Sequence, residues 1–273
     1  NREKGILQLA LVKSKNEYLS PASEILGGDA INMVPAESSA YIPAERLSPG
    51  ETLYLKELAR KTDSENIEVS IEEDRGILIR AKGKSAHAAS PQSGINAIYK
   101  LLDFLHTAED SVMDNYDYGC VKSTGSSVAK NNHEQNRVYL DSFLRFIYEK
   151  KIGLDATGQP LGIDLKDEES GALTLNLGKI IYNREEKRVM LDIRYPVTCN
   201  YEEIIKTVRE KAEKEGICIE IIGHSPPLYV PSDHPLIIKL SSAYEKITGE
   251  KANLLSMGGG TYARTLRNNG VAF

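Results

Sequence analysis

Near the start of the chain a single polar residue interrupts an apolar run, Ile6-Leu7-Gln8-Leu9-Ala10-Leu11-Val12, a pattern that predicts a β-strand. Gly27-Gly28-Asp29-Ala30-Ile31-Asn32-Met33-Val34-Pro35 reads as a turn feeding a strand that continues through Ser39-Ala40-Tyr41-Ile42-Pro43. Ser48-Pro49-Gly50-Glu51 offers a Ser N-cap, Pro at the first helical position and Glu at the third, so a helix is expected to run to Lys61. Strands over 67–71 and 76–81 flank the acidic turn Glu72-Glu73-Asp74-Arg75. An amphipathic helix is expected over 95–106, with Ile95, Ile98, Leu101, Leu102 and Leu105 on one face.

The stretch 114–136, rich in Asn, Ser and Gly, predicts a loop or weakly ordered connection. A helix over 140–150 and a polar stretch over 155–171 follow. The earlier pattern then recurs: strand 173–182, hairpin turn 183–187, strand 189–194, helix 201–215 stopped by Gly216, and strand 217–222. Two similar α/β halves result, alike in element order only. Pro226, Pro227 and Pro231 mark a change of direction and a domain boundary near Pro226. Beyond it come a helix over 234–248, a strand over 253–256, the Gly258-Gly259-Gly260 turn and a helix from Thr261. The chain opens without Met, straight into a strand pattern, and stops at Gly270-Val271-Ala272-Phe273, which reads as a strand beginning; further sequence is expected on both sides.

At 273 residues, 41% hydrophobic and 27% charged, the composition is that of a folded globular protein. A net charge of -5 gives no electrostatic reason to expect nucleic acid or an anionic membrane as partner. No apolar run approaches the ~18 residues needed to span a bilayer. Cys120, Cys199 and Cys218 are odd in number and lack Cys-x-x-Cys spacing, so neither a disulfide framework nor a thiolate zinc site is suggested, and a reducing cytoplasm fits best. His87, His106, His133, His224 and His234 include no pair at helical i, i+4 spacing and no acidic partner arrangement that reads as a zinc site, so no metal ligand is assigned.

The run Gly83 to Ala97, with Ser85-Ala86-His87-Ala88, Pro91, Gly94 and Asn96-Ala97, resembles the lid signature of the zinc-dependent dipeptidase, carnosinase, aminoacylase and glutamate carboxypeptidase family. Three further segments match in the same order. Glu3-Lys4-Gly5 is similar to the stretch after that family's last N-terminal zinc-ligating aspartate. Leu191-Asp192-Ile193-Arg194-Tyr195-Pro196 is similar to its lid strand with a substrate arginine, and Met257-Gly258-Gly259-Gly260-Thr261-Tyr262-Ala263-Arg264 to its C-terminal glycine loop. Gly27-Gly28 through Asn32-Met33-Val34-Pro35, with Gly-Gly-Gly-Thr-Tyr-Ala-Arg, points to the dipeptidase V group.

That resemblance implies an α/β fold with an α+β lid: two ferredoxin-like halves, followed by an incomplete α/β piece of the zinc-peptidase catalytic domain. Residues 1–5 would end the N-terminal part of that domain, 6–226 would form the lid and 227–273 would resume the catalytic domain. It further implies a metallo-dipeptidase with two zinc ions in the intact enzyme and none in this chain, whose own part is expected to be inactive. By resemblance His87 donates to the oxyanion, with Asn32 beside it. Arg194 grips the free carboxylate of a dipeptide or small N-acyl amino acid, and Gly259, Gly260 and Thr261 line the substrate. In dimeric relatives the lid histidine comes from the partner subunit; here the second half, 173–222, would occupy that lid's place, allowing a monomer. An aminoacylase, a desuccinylase and a non-catalytic ferredoxin-like binding or dimerisation module remain alternatives.

Overall fold

The computed structural model describes residues 1–13, 20–47, 50–63, 65–72, 76–115 and 139–271. The chain begins with β1 (Arg2–Glu3) and β2 (Gly5–Lys13), then β3 (Glu24–Gly27), β4 (Glu37–Pro43), α1 (Glu51–Thr62), β5 (Ile67–Glu72), β6 (Gly76–Lys82) and α2 (Ala97–Asn115). After α3 (Ser142–Glu149) come β7 (Lys166–Asp167), β8 (Gly171–Ala172), β9 (Thr174–Tyr182), β10 (Lys187–Tyr195), α4 (Tyr201–Glu213) and β11 (Ile217–Ser225). The chain then adds β12 (Leu228–Tyr229), α5 (Pro235–Thr248), β13 (Ser256–Met257) and a 3-10 segment, Tyr262–Asn269.

Eight strands form one antiparallel sheet in the order β11-β2-β10-β9-β3-β4-β6-β5. It resolves into two ferredoxin-like halves. One is β2, β9, β10, α4 and β11, in the 4-1-3-2 order of a βαββαβ unit. The other, β3-β4-α1-β5-β6-α2, is inserted between its first and second strands. β2 therefore belongs with the second half, not with the strands that follow it in sequence. The halves meet where β3 pairs β9 over Ile25↔Tyr182, Leu26↔Ile181 and Gly27↔Ile180.

Local chemistry explains the helices. Asn200 caps α4 by accepting the Glu202 N–H at 2.9 Å, Ile204, Ile205, Val208 and Ala212 form its buried stripe, and Gly216 at φ +67° turns the chain into β11. Asp141 caps α3 through the Leu144 N–H at 3.0 Å while its other oxygen takes Lys187 and the Tyr182 hydroxyl, tying helix to sheet. A single apolar core, running from Ile42 and Ile79 through Leu101 and Leu105 to Leu191 and Ile193, spans both halves under the helices. A second, small core of Leu228, Val230, Ile237 and Ala263 sits beside the β12-β1-β13 sheet.

Several boundaries differ from the sequence pattern. The strand expected from Ile31 begins only at Glu37, and β3 precedes the turn, because residues 28–36 are held as a loop by contacts described below. Helix α2 starts at Ala97, so Ile95 is not on its buried face; it is half exposed and bridges Lys84. The polar stretch 155–171 folds into a 3-10 turn, Gln159–Leu161, and the strand β7. The strand expected over 253–256 is Ser256–Met257, and the helix expected from Thr261 is 3-10. Helix α1 starts at Glu51 after Gly50 with no side-chain cap; the Ser48-Pro49 capping signal lies outside the described residues, as do residues 73–75 of the acidic turn, the stretch 116–138 and the last two residues.

Candidate functional site

The loops carrying Asn32 and His87 are stitched together. Met33 and His87 form an antiparallel bridge, the Val34 N–H donates to the Ala86 carbonyl at 2.7 Å, and the Ala88 N–H donates to the Asn32 carbonyl at 2.9 Å. Both loops are pinned to β9 of the other half. The buried Asn176 amide donates to the carbonyls of Ile31 and Met33 at 3.0 and 2.9 Å, and the Thr174 hydroxyl donates to Ala88 at 3.2 Å. Gly178 has to be glycine here, since a Cβ would stand 2.1 Å from the Ile31 carbonyl oxygen. Two loops from one half thus lie on a strand of the other.

Asn32 and His87 are both exposed. The His87 Nδ1 accepts the Ala89 N–H at 3.0 Å, which leaves the proton of a neutral imidazole on Nε2, where it can be donated outward.

Arg194 is buried at 4% exposure, on the sheet face opposite the apolar core residues Leu191 and Ile193. Its Nε and Nη2 donate to the two oxygens of Asp192, at 2.5 and 3.1 Å, and the Gln8 side chain adds a 3.0 Å bond to Asp192. Nη1 reaches the Gly258 carbonyl at 3.3 Å. Gly258 in turn abuts the His87 loop, where an added Cβ would lie 2.8 Å from the Ala89 Cβ. The segments carrying Asn32, His87, Gly258 and Arg194, distant in sequence, are thus linked in one series of contacts.

The other expected residues divide. Around Gly259 an added Cβ would meet nothing within 4 Å, so packing does not demand glycine there; at Gly260 it would meet the Arg264 Nε at 2.8 Å. The Thr261 hydroxyl is engaged by the buried Glu3, which also accepts the Thr261 N–H at 3.1 Å and the Arg264 Nε at 2.7 Å. Thr261 therefore anchors the loop to β1. Sequence reasoning missed Gln8, Thr174, Asn176 and Asp192. A signal was present: Gln8 interrupts an apolar run, and Asp192 stands two residues from Arg194, on the same strand face.

His133 lies outside the described residues, and the other three histidines have other work. His106 pairs with Asp110 at 3.2 Å and stacks on Tyr148, and His234 caps α5 by accepting the Leu236 N–H at 3.2 Å. His224 stacks on Tyr201 with its Nε2 2.7 Å from the Tyr195 hydroxyl. Burial lowers the His224 pKa and pushes that of Tyr195 up to about 12. Among the described residues no group of three or more His, Cys, Asp or Glu could hold a metal ion. Among the same residues no helix is long and apolar enough to cross a membrane.

The fold is thus an α/β one, two ferredoxin-like halves sharing one antiparallel sheet. The chain belongs to the M20 peptidases through their peptidase dimerisation domain, which matches residues 75–217. It is 33% identical over 278 residues to "Putative dipeptidase YtjP" of Bacillus subtilis (strain 168), covering 100% of this chain and 53% of that protein. It is 27% identical to "Putative dipeptidase SSP1012" of Staphylococcus saprophyticus, again covering 53% of the relative. The chain therefore spans about half the length of these relatives. Aminoacylhistidine dipeptidase from Vibrio alginolyticus aligns at 15% identity and a TM-score of 0.41, covering 95% of this chain and 52% of that one.

Proposed function

We propose that this chain is the substrate-gripping part of a metal-dependent dipeptidase, and that it does not hydrolyse peptides by itself. The observation that carries the proposal is the series of contacts linking the segments that carry Asn32, His87, Arg194 and the Gly258-Gly259-Gly260 loop. The described residues do not supply a zinc site, and the two zinc ions belong, in this proposal, to a longer protein of the relatives' length. The His87 Nε2–H would donate to the oxygen that becomes negative as the substrate carbonyl turns tetrahedral. Asn32 would add a side-chain amide beside it. Arg194 would take the free carboxylate of a dipeptide or of a small N-acyl amino acid, and the open backbone at Gly259 would admit close approach of the substrate.

The division into residues 1–5, 6–226 and 227–273 fits a lid inserted into a catalytic domain, supported by the separate small core around Leu228 and Ile237. The half bearing His87 lies on the half bearing Arg194, within one chain. We therefore assign the place of a partner's lid to the half formed by β3 to α2, and not to 173–222 as element order suggested.

The test is the ratio of specificity constants for a dipeptide and its C-terminal amide in the longer protein. Wild type should reject the amide, and Arg194→Lys should lose about 2 to 5 kcal/mol of that preference, because an ammonium lacks the planar fork. An unchanged ratio would assign Arg194 a structural role only.

A further inference from the structure

We propose that Asp192 positions Arg194 and also limits how tightly it holds a carboxylate. The inference rests on the assignment of Arg194 as the carboxylate-binding residue, and its geometry comes from the sheet. Asp192 is fully buried between its cross-strand neighbours Gln8 and Asn176. Both of its oxygens face one side of the Arg194 guanidinium, on Nε and Nη2, and Gln8 fixes the carboxylate from the adjacent strand β2 at 3.0 Å. The arginine therefore cannot rotate without stripping hydrogen bonds from a buried carboxylate.

A guanidinium carries five N–H groups. Asp192 takes two and the Gly258 carbonyl a third, leaving among the described residues one N–H on Nη1 and one on Nη2. A ligand carboxylate must come to that edge. The weakest of the three contacts is the long one, 3.3 Å from Nη1 to the Gly258 carbonyl, and with Arg194 at 4% exposure a carboxylate that reaches the remaining edge has to displace part of what covers it.

Charge sets the strength of this grip. The cation is already neutralised by one carboxylate, and a second binds against the repulsion of Asp192. An unpaired buried arginine would hold the same ligand harder, and would release a product carrying that carboxylate more slowly. Asp192 thus trades affinity for orientation and release.

The test uses the 273-residue chain, labelled with 15N and titrated with N-acetylglycine or N-acetylglycinamide while the arginine side-chain resonances are followed by NMR. In wild type the acid should shift the Arg194 Nη signals and leave its Nε–H protected from exchange. In Asp192→Asn the acid should bind roughly tenfold tighter and the amide no differently. A merely structural Asp192 would give weaker or unchanged acid binding in that variant, which overturns the proposal. Loss of Nε–H protection when the acid binds wild type overturns it as well, and this arm decides the matter even if Asp192→Asn does not fold. If the acid binds wild type and Arg194→Lys equally, the carboxylate assignment fails first and takes the proposal with it. In the longer protein, Asp192→Asn should lower KM and kcat together.

Discussion

His87 acts, in the proposed role, only when charge develops on the substrate oxygen. Replacing it by Ala in the longer protein should lower the maximal rate by roughly 10²–10³ while metal content, measured by elemental analysis, stays at the wild-type value. A near-normal rate would remove His87 from the mechanism. Asn176 carries a different burden, because its buried amide holds the carbonyls on either side of Asn32. Asn176→Ala leaves those acceptors unpaired and should destabilise the chain by about 1–3 kcal/mol in urea unfolding. If the unfolding midpoint does not move, the loop is held by its bridge to His87 alone.

Elements inherit these constraints. β11 ends at the cluster where His224 stacks on Tyr201 and meets the Tyr195 hydroxyl, and burial lowers the His224 pKa below its ordinary value. The fold thus favours the neutral ring, and the unfolded chain binds the proton more readily. The contribution of His224 to stability is present above about pH 6.5 and lost as pH falls through the depressed folded value. Stability of the chain, followed by denaturant midpoint between pH 7.5 and 5, should fall more steeply than in His224→Gln. Parallel curves would show that the ring titrates alike in both states. The glycine loop is held by the ion pair of Glu3 with Arg264 together with the buried Ala263, and its segment folds as 3-10 turns in place of the regular helix the sequence suggested.

At the scale of the molecule, the joint between β3 and β9 makes one sheet from two halves within a single chain. The chain should therefore sediment as a monomer at micromolar concentration, and a stable dimer in analytical ultracentrifugation would mean that the joint does not replace an interface between copies. Much of the architecture was legible along the sequence, because alternation in β10 and the 3.6-residue stripe of α4 are local consequences of burying one face. His87, Asn32 and Arg194 were also legible as motifs. The insertion of one half into the other was not, since pairing β2 with β10 joins residues some 180 positions apart and no local pattern encodes that partner. For the same reason the sequence offered Arg194 and Thr261 as substrate-binding groups without their partners in the fold. Only the tertiary structure engages them with Asp192 and Glu3, because a buried charge or hydroxyl must find its partner wherever the fold brings one.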